Sequence, residues 1–268
     1  MKKLLHTARS RVAALWSASK KTEVAGSAAV APAPNSFHVD RIAEARLAVA
    51  SYFLTGEGIE LGAGSRPFPL PANVKVRYGD VRDTAALVQY FSTTAVVSTE
   101  QRIDAQTLEG VPKGQLDFVL SAHVIEHLED PIGAVVNTLS VLKLGGIFIV
   151  VVPDMRLTFD RDRPETPASH SIADFGDGGA STRKQAFVEH LRYCHPIMTN
   201  GVSLTEAEIE RQATISAVNH KALDLHYHAW TLEGFRQLLT VAKQYSPFDI
   251  EIAIPIENEN IFVLRKIT

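Results

Sequence analysis

With 268 residues, 46% of them hydrophobic and 21% charged, the chain suits one globular α/β domain with additions and can bury a full core without staples. One cysteine, Cys194, excludes an internal disulfide framework and makes a reducing compartment, the cytoplasm, the default; no apolar run approaches bilayer length. The formal net charge is −3, but residues 1–22 hold six basic residues and no acid, so the rest carries 21 basic against 30 acidic residues and is a poor general binder of nucleic acid.

Met1-Lys2-Lys3-Leu4-Leu5 opens like a secretory signal, but His6, Arg9 and Arg11 interrupt the apolar stretch. On a helix, Leu4, Leu5, Ala8, Val12, Leu15 and Trp16 share one face. That face reads either as a weak contact with the inner membrane surface or a partner, or as a solvated leader. Residues 24–36 are small and Pro-containing, a linker composition. Residues 1–36 are thus expected to be a basic helix and a flexible linker, and residues 37–268 one domain. Oligomeric state is not legible.

From Asp40 onward the pattern alternates between helix-like and strand-like periods. A helix is expected over 40–54 with Asp40 as N-cap, a first strand over 57–61, a second over 74–79 and a helix over 83–91. Val96-Val97 is expected in a short third strand and residues 116–121 in a buried fourth. A helix over 131–143 starts at Pro131 and stops at Gly145-Gly146. Residues 147–152 are apolar on both faces, as a central parallel strand should be. Residues 154–229 are polar, Pro-containing and rich in histidine, an insertion where function-specific loops tend to sit. Thr231 then caps a helix to about Lys243, and strands over 248–254 and 260–266 form an antiparallel pair.

Gly62 and Gly64 follow the first strand, where the backbone turns tightly and approaches a ligand closely. A dinucleotide fingerprint asks for a third glycine at position 67, and that residue is Pro67. Three prolines within Arg66–Pro71 cannot promptly start the helix whose N-terminus would take a pyrophosphate. A cofactor without phosphate fits better: Glu60 offsets positive charge, Asp80 accepts ribose hydroxyls, and Asp104 accepts an adenine amino group. These features match S-adenosylmethionine. A dinucleotide-dependent oxidoreductase is the rival reading, and Pro67 counts against it.

Glu60-Leu-Gly-Ala-Gly, Asp80, residues 117–131 (Asp-Phe-Val-Leu-Ser-Ala-His-Val-Ile-Glu-His-Leu-Glu-Asp-Pro), Leu142-Lys-Leu-Gly-Gly-Ile and Val152-Pro-Asp together resemble the class I S-adenosylmethionine-dependent methyltransferases. The likeness is greatest to their small-molecule and glycan-associated branch. It covers residues 57–154 well and 226–265 more loosely, and it departs from the common pattern at Arg66, where a third glycine is frequent. The resemblance implies a Rossmann-like, mostly parallel seven-stranded sheet with a terminal antiparallel strand and helices on both faces. The cofactor would lie across the carboxyl ends of strands one to four. The expected cofactor-binding set is Glu60, Gly62, Gly64, Asp80, Asp104, Ser121 and His123.

His123, Glu126 and His127 share one face if helical. Three readings stand: a structural turn lining the cofactor pocket, a substrate-facing acid/base set, or a metal site. The last arises because His-x-x-Glu-His has ligand spacing, with His226 or His228 completing the set. No residue is assigned to a metal. On an extended segment His226 and His228 face the same way, lining one wall or sitting satisfied in a loop. The expected catalytic residues are His127, His226 and His228, one of them the base for a hydroxyl acceptor on a sugar or other polar small molecule in surface-glycan synthesis. A non-catalytic partner or scaffold of a glycan enzyme is the alternative. Asp154 and Asp160-Arg161-Asp162-Arg163 bind a polar substrate or pair with each other at the surface, and Cys194 packs.

Overall fold

The structure, a computed structural model, describes residues 40–99, 101–219 and 225–268. The expected basic helix and linker over 1–36 lie outside the described residues. Among the described residues no helix is long and apolar enough to cross a membrane.

Helix α1 (Arg41–Phe53) starts at Asp40, whose Oδ1 accepts the Ala43 N–H at 3.1 Å. Strands β1 (Gly56–Leu61) and β2 (Val74–Asp80) pair in parallel. A parallel crossover normally carries a helix, but residues 62–73 form none. Pro67, Pro69 and Pro71 explain this, as expected from their missing donors. Phe68, dropped from this loop, packs with Val49 and Ala50 of α1 on one sheet face.

Helix α2 (Thr84–Phe91) is capped by Asp83. Strand β3 is only Gln101–Arg102, paired with Gly79 and Asp80. The third strand is therefore not at Val96-Val97. The Val97 N–H is spent instead on the Gly64 carbonyl at 2.9 Å, which fixes that segment against the glycine loop.

Strand β4 (Leu116–Ala122), helix α3 (Pro131–Val141) and strand β5 (Leu142–Pro153) follow. Asp130 caps α3 and Pro131 occupies its first turn; the helix stops two residues earlier than its glycines suggest, because Leu142 already pairs with Leu116. Helix α8 (Leu232–Ala242), capped by Thr231, precedes β6 (Phe248–Ile256) and β7 (Glu259–Lys266).

Among the described residues the sheet has seven strands in the order β3-β2-β1-β4-β5-β7-β6. β7 runs antiparallel to both β5 and β6, so it is the reversed strand, last in the chain but inside the sheet. Side chains alternate across β5: Phe148, Val150 and Val152 face α3 and α8, while Ile147, Ile149 and Val151 face α1. The insertion after β5 folds as α4 (Ala168–Asp177), α5 (Arg183–Glu189), a π-turn over His190–Cys194, α6 (His195–Met198) and α7 (Glu206–Asn219). It has a small core of its own, including Phe187, Ile209, Ala213 and Leu225.

Candidate active site

Order reversal in the sheet falls between β1 and β4, and ligands of open α/β sheets bind beyond the strand ends at such a point. Gly62 (φ +68°) and Gly64 (φ +55°) turn the chain there. A Cβ on Gly62 would lie 2.5 Å from Val124 Cγ2, and one on Gly64 2.5 Å from Phe91 Cζ. Both conformation and space therefore require glycine, and the loops after β1 and β4 meet at Val124.

Glu60 is buried, and its carboxylate accepts the Phe68 N–H at 2.9 Å. Burial pushes it up to about 7, against the Phe68 N–H and Arg46, which pull it down. Glu60 thus holds the proline loop in place beside the glycines. Asp80 closes β2; its Oδ1 accepts the Arg82 N–H at 2.8 Å, and burial raises its pKa more than Arg82 lowers it. Asp104 is exposed, caps a turn through the Gln106 N–H at 2.8 Å, and lines a cavity of about 420 Å³ with Val81, Ile103 and Thr107. Ser121 is buried near the end of β4.

These residues suit a phosphate-free cofactor. No helix N-terminus follows Gly64 to take a diphosphate, while Asp80 stands at the β2 end where a ribose diol is held. Gly62, Gly64, Asp80, Asp104, Ser121 and His123 would line its path along the strand ends.

The expected shared helical face of His123, Glu126 and His127 does not form. His123 is left-handed (φ +56°), and only Ile125–His127 make a short 3-10 turn. His123 turns its Nε2 to Glu259 Oε2 at 2.9 Å, and Glu259 takes Arg46 through two bonds of 2.9 and 2.6 Å. Burial alone would raise Glu259, but His123 and Arg46 hold it below its ordinary value. Glu126 is fully buried, and among the described residues neither carboxylate oxygen has a hydrogen-bond partner. Desolvation raises its pKa against the pull of His226 and His123. His127 Nδ1 lies 2.9 Å from the Leu225 carbonyl and donates to it, leaving Nε2 as a lone pair. Burial, then neighbouring His226, drive its pKa well below 6.5, so the ring is neutral.

His226 and His228 do not act as one wall: each is buried on a different aspartate. His226 Nδ1 meets Asp160 Oδ2 at 2.6 Å, and its ring stands edge-on to His127 at 4.6 Å. His228 Nε2 meets Asp174 Oδ2 at 2.8 Å and stacks on Trp230, with only 1% of its side chain exposed. In this arrangement His228 supports the segment from within. Asp160 and Arg163 are not surface partners either. Arg163 is enclosed, bonding the His226 and Tyr227 carbonyls at 2.6 Å each and Glu189 at 2.9 Å. Asp160 also accepts from the Cys194 thiol at 3.4 Å, and burial raises that buried thiol's pKa. Asp154 holds Arg156 through bonds of 2.9 and 2.6 Å. Sequence reasoning missed Arg46, Glu259 and Asp174 altogether. Each lies far along the chain from its partner, and no local spacing marks them.

The sheet is that of the Rossmann-like methyltransferase fold. Residues 70–150, from just before β2 to within β5, match the family model described as "Methyltransferase domain". This match makes the matched segment part of an S-adenosylmethionine-dependent methyltransferase, with S-adenosylmethionine as its cofactor. No curated protein matches the sequence. Among solved structures the fold is similar to a Rhodobacter sphaeroides protein provisionally described as a Zn-dependent alcohol dehydrogenase, at 15% identity over 85% of this chain and 90% of that one, TM-score 0.50. It is also similar to S-adenosylmethionine-dependent methyltransferases of Thermotoga maritima (14% identity, 84% and 92% covered, TM-score 0.43) and Aquifex aeolicus (11%, 82% and 88%, 0.43). At these identities the likeness is one of fold.

Proposed function

We propose that the protein methylates a hydroxyl of a sugar or other polar small molecule, in the synthesis of a surface glycan on the cytoplasmic side. The supporting observation is the group formed by Glu126, His127 and His226 just past β4, next to the loop that packs on Gly62. It combines an unpartnered carboxylate with a neutral imidazole whose side chain is 21% exposed. A hydroxyl is a weak nucleophile and gains from a nearby proton acceptor, whereas a thiolate or amine needs one less. The polar character of the insertion supports a polar acceptor.

When bound, S-adenosylmethionine supplies a methyl group on a sulfonium. The chain's part is orientation, worth about 7–11 kcal/mol in favourable cases, and proton handling. Asp80 and the glycine loop fix the cofactor's position, and His127 Nε2 takes the hydroxyl proton. The Leu225 carbonyl keeps the ring in the tautomer that leaves this nitrogen bare.

Purified protein given S-adenosylmethionine and a panel of sugars and nucleotide sugars tests the reading. His127→Ala should lower kcat about 100-fold or more while cofactor affinity measured by calorimetry holds. Full activity in His127→Ala and His226→Ala alike would sink the proton-acceptor assignment. Mass spectrometry of surface glycans, unchanged when the gene is deleted, would sink the substrate class.

A further inference from the structure

We propose that Glu126, His127 and His226 form a binding site for a divalent transition-metal ion of the zinc class. One ligand atom from each of the three lies within 4.8 Å of those of the other two. The set, two imidazoles and one carboxylate, is a known donor combination for zinc sites that keep an open position.

Three observations carry this. First, Glu126 is a side chain only 1% exposed whose two oxygens find no hydrogen-bond partner among the described residues. The ring nitrogens beside it, His123 Nδ1 at 3.7 Å and His127 Nε2 at 3.9 Å, stand beyond hydrogen-bond reach, and His127 Nε2 carries no proton to give. An orphaned buried carboxylate is costly and calls for a counter-charge. Second, both histidines are held from behind as metal ligands are. Leu225 O takes His127 Nδ1 and Asp160 takes His226 Nδ1, so Nε2 is the nitrogen each has left. Third, the spacing is right. Ligand atoms about 2.0–2.2 Å from a tetrahedral ion stand about 3.4 Å apart. The 3.9 Å between His127 Nε2 and Glu126 Oε1 needs closure of only about half an ångström.

A second group, His170, Asp174 and His228, lacks this character. Asp174 already accepts His228 Nε2 at 2.8 Å and the Thr182 hydroxyl, so its carboxylate is satisfied without an ion.

The site rests on geometry alone; its role toward the acceptor rests on the reading under Proposed function. His127 is the most exposed of the three, so the open position faces its side, where the hydroxyl oxygen would complete the coordination. With an ion held there, the His127 lone pair would be committed to it, and the ion would lower the hydroxyl's pKa so that its proton could pass to solvent instead.

Chelator-treated full-length protein is titrated with zinc chloride by calorimetry and, separately, loaded with Co²⁺ for visible absorption. The expected result is one ion per chain, at least tenfold weaker in Glu126→Gln and unchanged in His170→Gln, with Co²⁺ bands of a four- or five-coordinate nitrogen-containing site. Absence of stoichiometric binding by folded protein, or equal affinity in folded Glu126→Gln, would overturn the proposal. Should Glu126→Gln not fold, wild-type Co²⁺ protein without imidazole ligation by X-ray absorption overturns it as well. Ion binding with no methyl acceptor found would count against the proposed function only. Methyl transfer by protein that binds no zinc would sink the metal site and leave His127 as the proton acceptor.

Discussion

Along β4, β5 and β7 the sheet buries alternating apolar side chains, Phe148 and Val150 against α3 and α8 or Ile149 and Val263 against α1. The insertion buries Asp160, Arg163, Asp174, His226 and His228, joined to one another and to backbone carbonyls. The first kind of core tolerates exchange of one hydrophobe for another of similar volume. The second is stable only while every partner is present, because each loss strands a buried polar group. The scaffold is thus sturdy in the sheet and conditional in the polar insertion.

Arg163 is the sharpest place to break that contrast. It ties residues 160–163 to the 226–228 segment by two hydrogen bonds and to Glu189 by a third, and it is fully enclosed. Arg163→Ala should cost about 3–5 kcal/mol in urea unfolding and release His226. Hydrogen exchange should rise in 158–198 and 225–229 and stay slow in β4 and β5. Uniform acceleration across the sheet would mean the two cores are one cooperative unit.

Glu60 is the exception on the sheet side, an ionisable group buried among apolar strands. Its folded pKa, about 7, lies above the ordinary 4.5, so the folded chain holds this proton more tightly than the unfolded chain. The stability it contributes is whole below about pH 4.5, fades as pH rises and is lost above about pH 7. The change amounts to about 3 kcal/mol. Glu60→Gln keeps an acceptor for the Phe68 N–H and lacks the charge. Between about pH 4.5 and pH 8 its stability should gain on the wild type by up to about 3 kcal/mol, other groups cancelling in the difference. Parallel curves would show that Glu60 is charged at no cost.

Gly62 sits where the sheet region meets the site. An L side chain at φ +68° costs about 1–2 kcal/mol before Val124 has to move. Gly62→Ala should show that loss together with weaker S-adenosylmethionine binding. Adding Val124→Ala should relieve the contact and leave the backbone cost. Complete rescue would assign the glycine to packing alone.

How much was legible follows the same division. Caps and alternation are local, so Asp40, Pro131 and Thr231 marked their helices and the apolar run at 147–152 marked β5. The two residues of β3 have no such pattern, since their pairing with Gly79 and Asp80 is purely tertiary. The glycine loop and its prolines were readable because φ and missing donors are properties of single residues. The insertion was not, because a buried Asp160 or Arg163 is spelled like an exposed one. The His-x-x-Glu-His spacing does not survive as one set, because His123 leaves the turn and the imidazole that joins His127 is His226, from far along the chain.

Thr231 joins the two regions at the smallest scale. Its hydroxyl caps α8 by accepting the Gly234 N–H at 3.2 Å, and its N–H and hydroxyl both donate to Glu165 of the insertion, at 2.7 and 2.6 Å. Thr231→Ala removes the cap and one tie, and should cost about 1 kcal/mol. Glu165→Ala removes only the ties, which are exposed, and should cost less. If the cap dominates, the double variant will resemble Thr231→Ala in thermal unfolding, and methyl transfer will be little changed. If Glu165→Ala costs as much as Thr231→Ala, the seam rather than the cap is what Thr231 serves, and the insertion leans on the sheet through a surface contact as much as through its buried arginine.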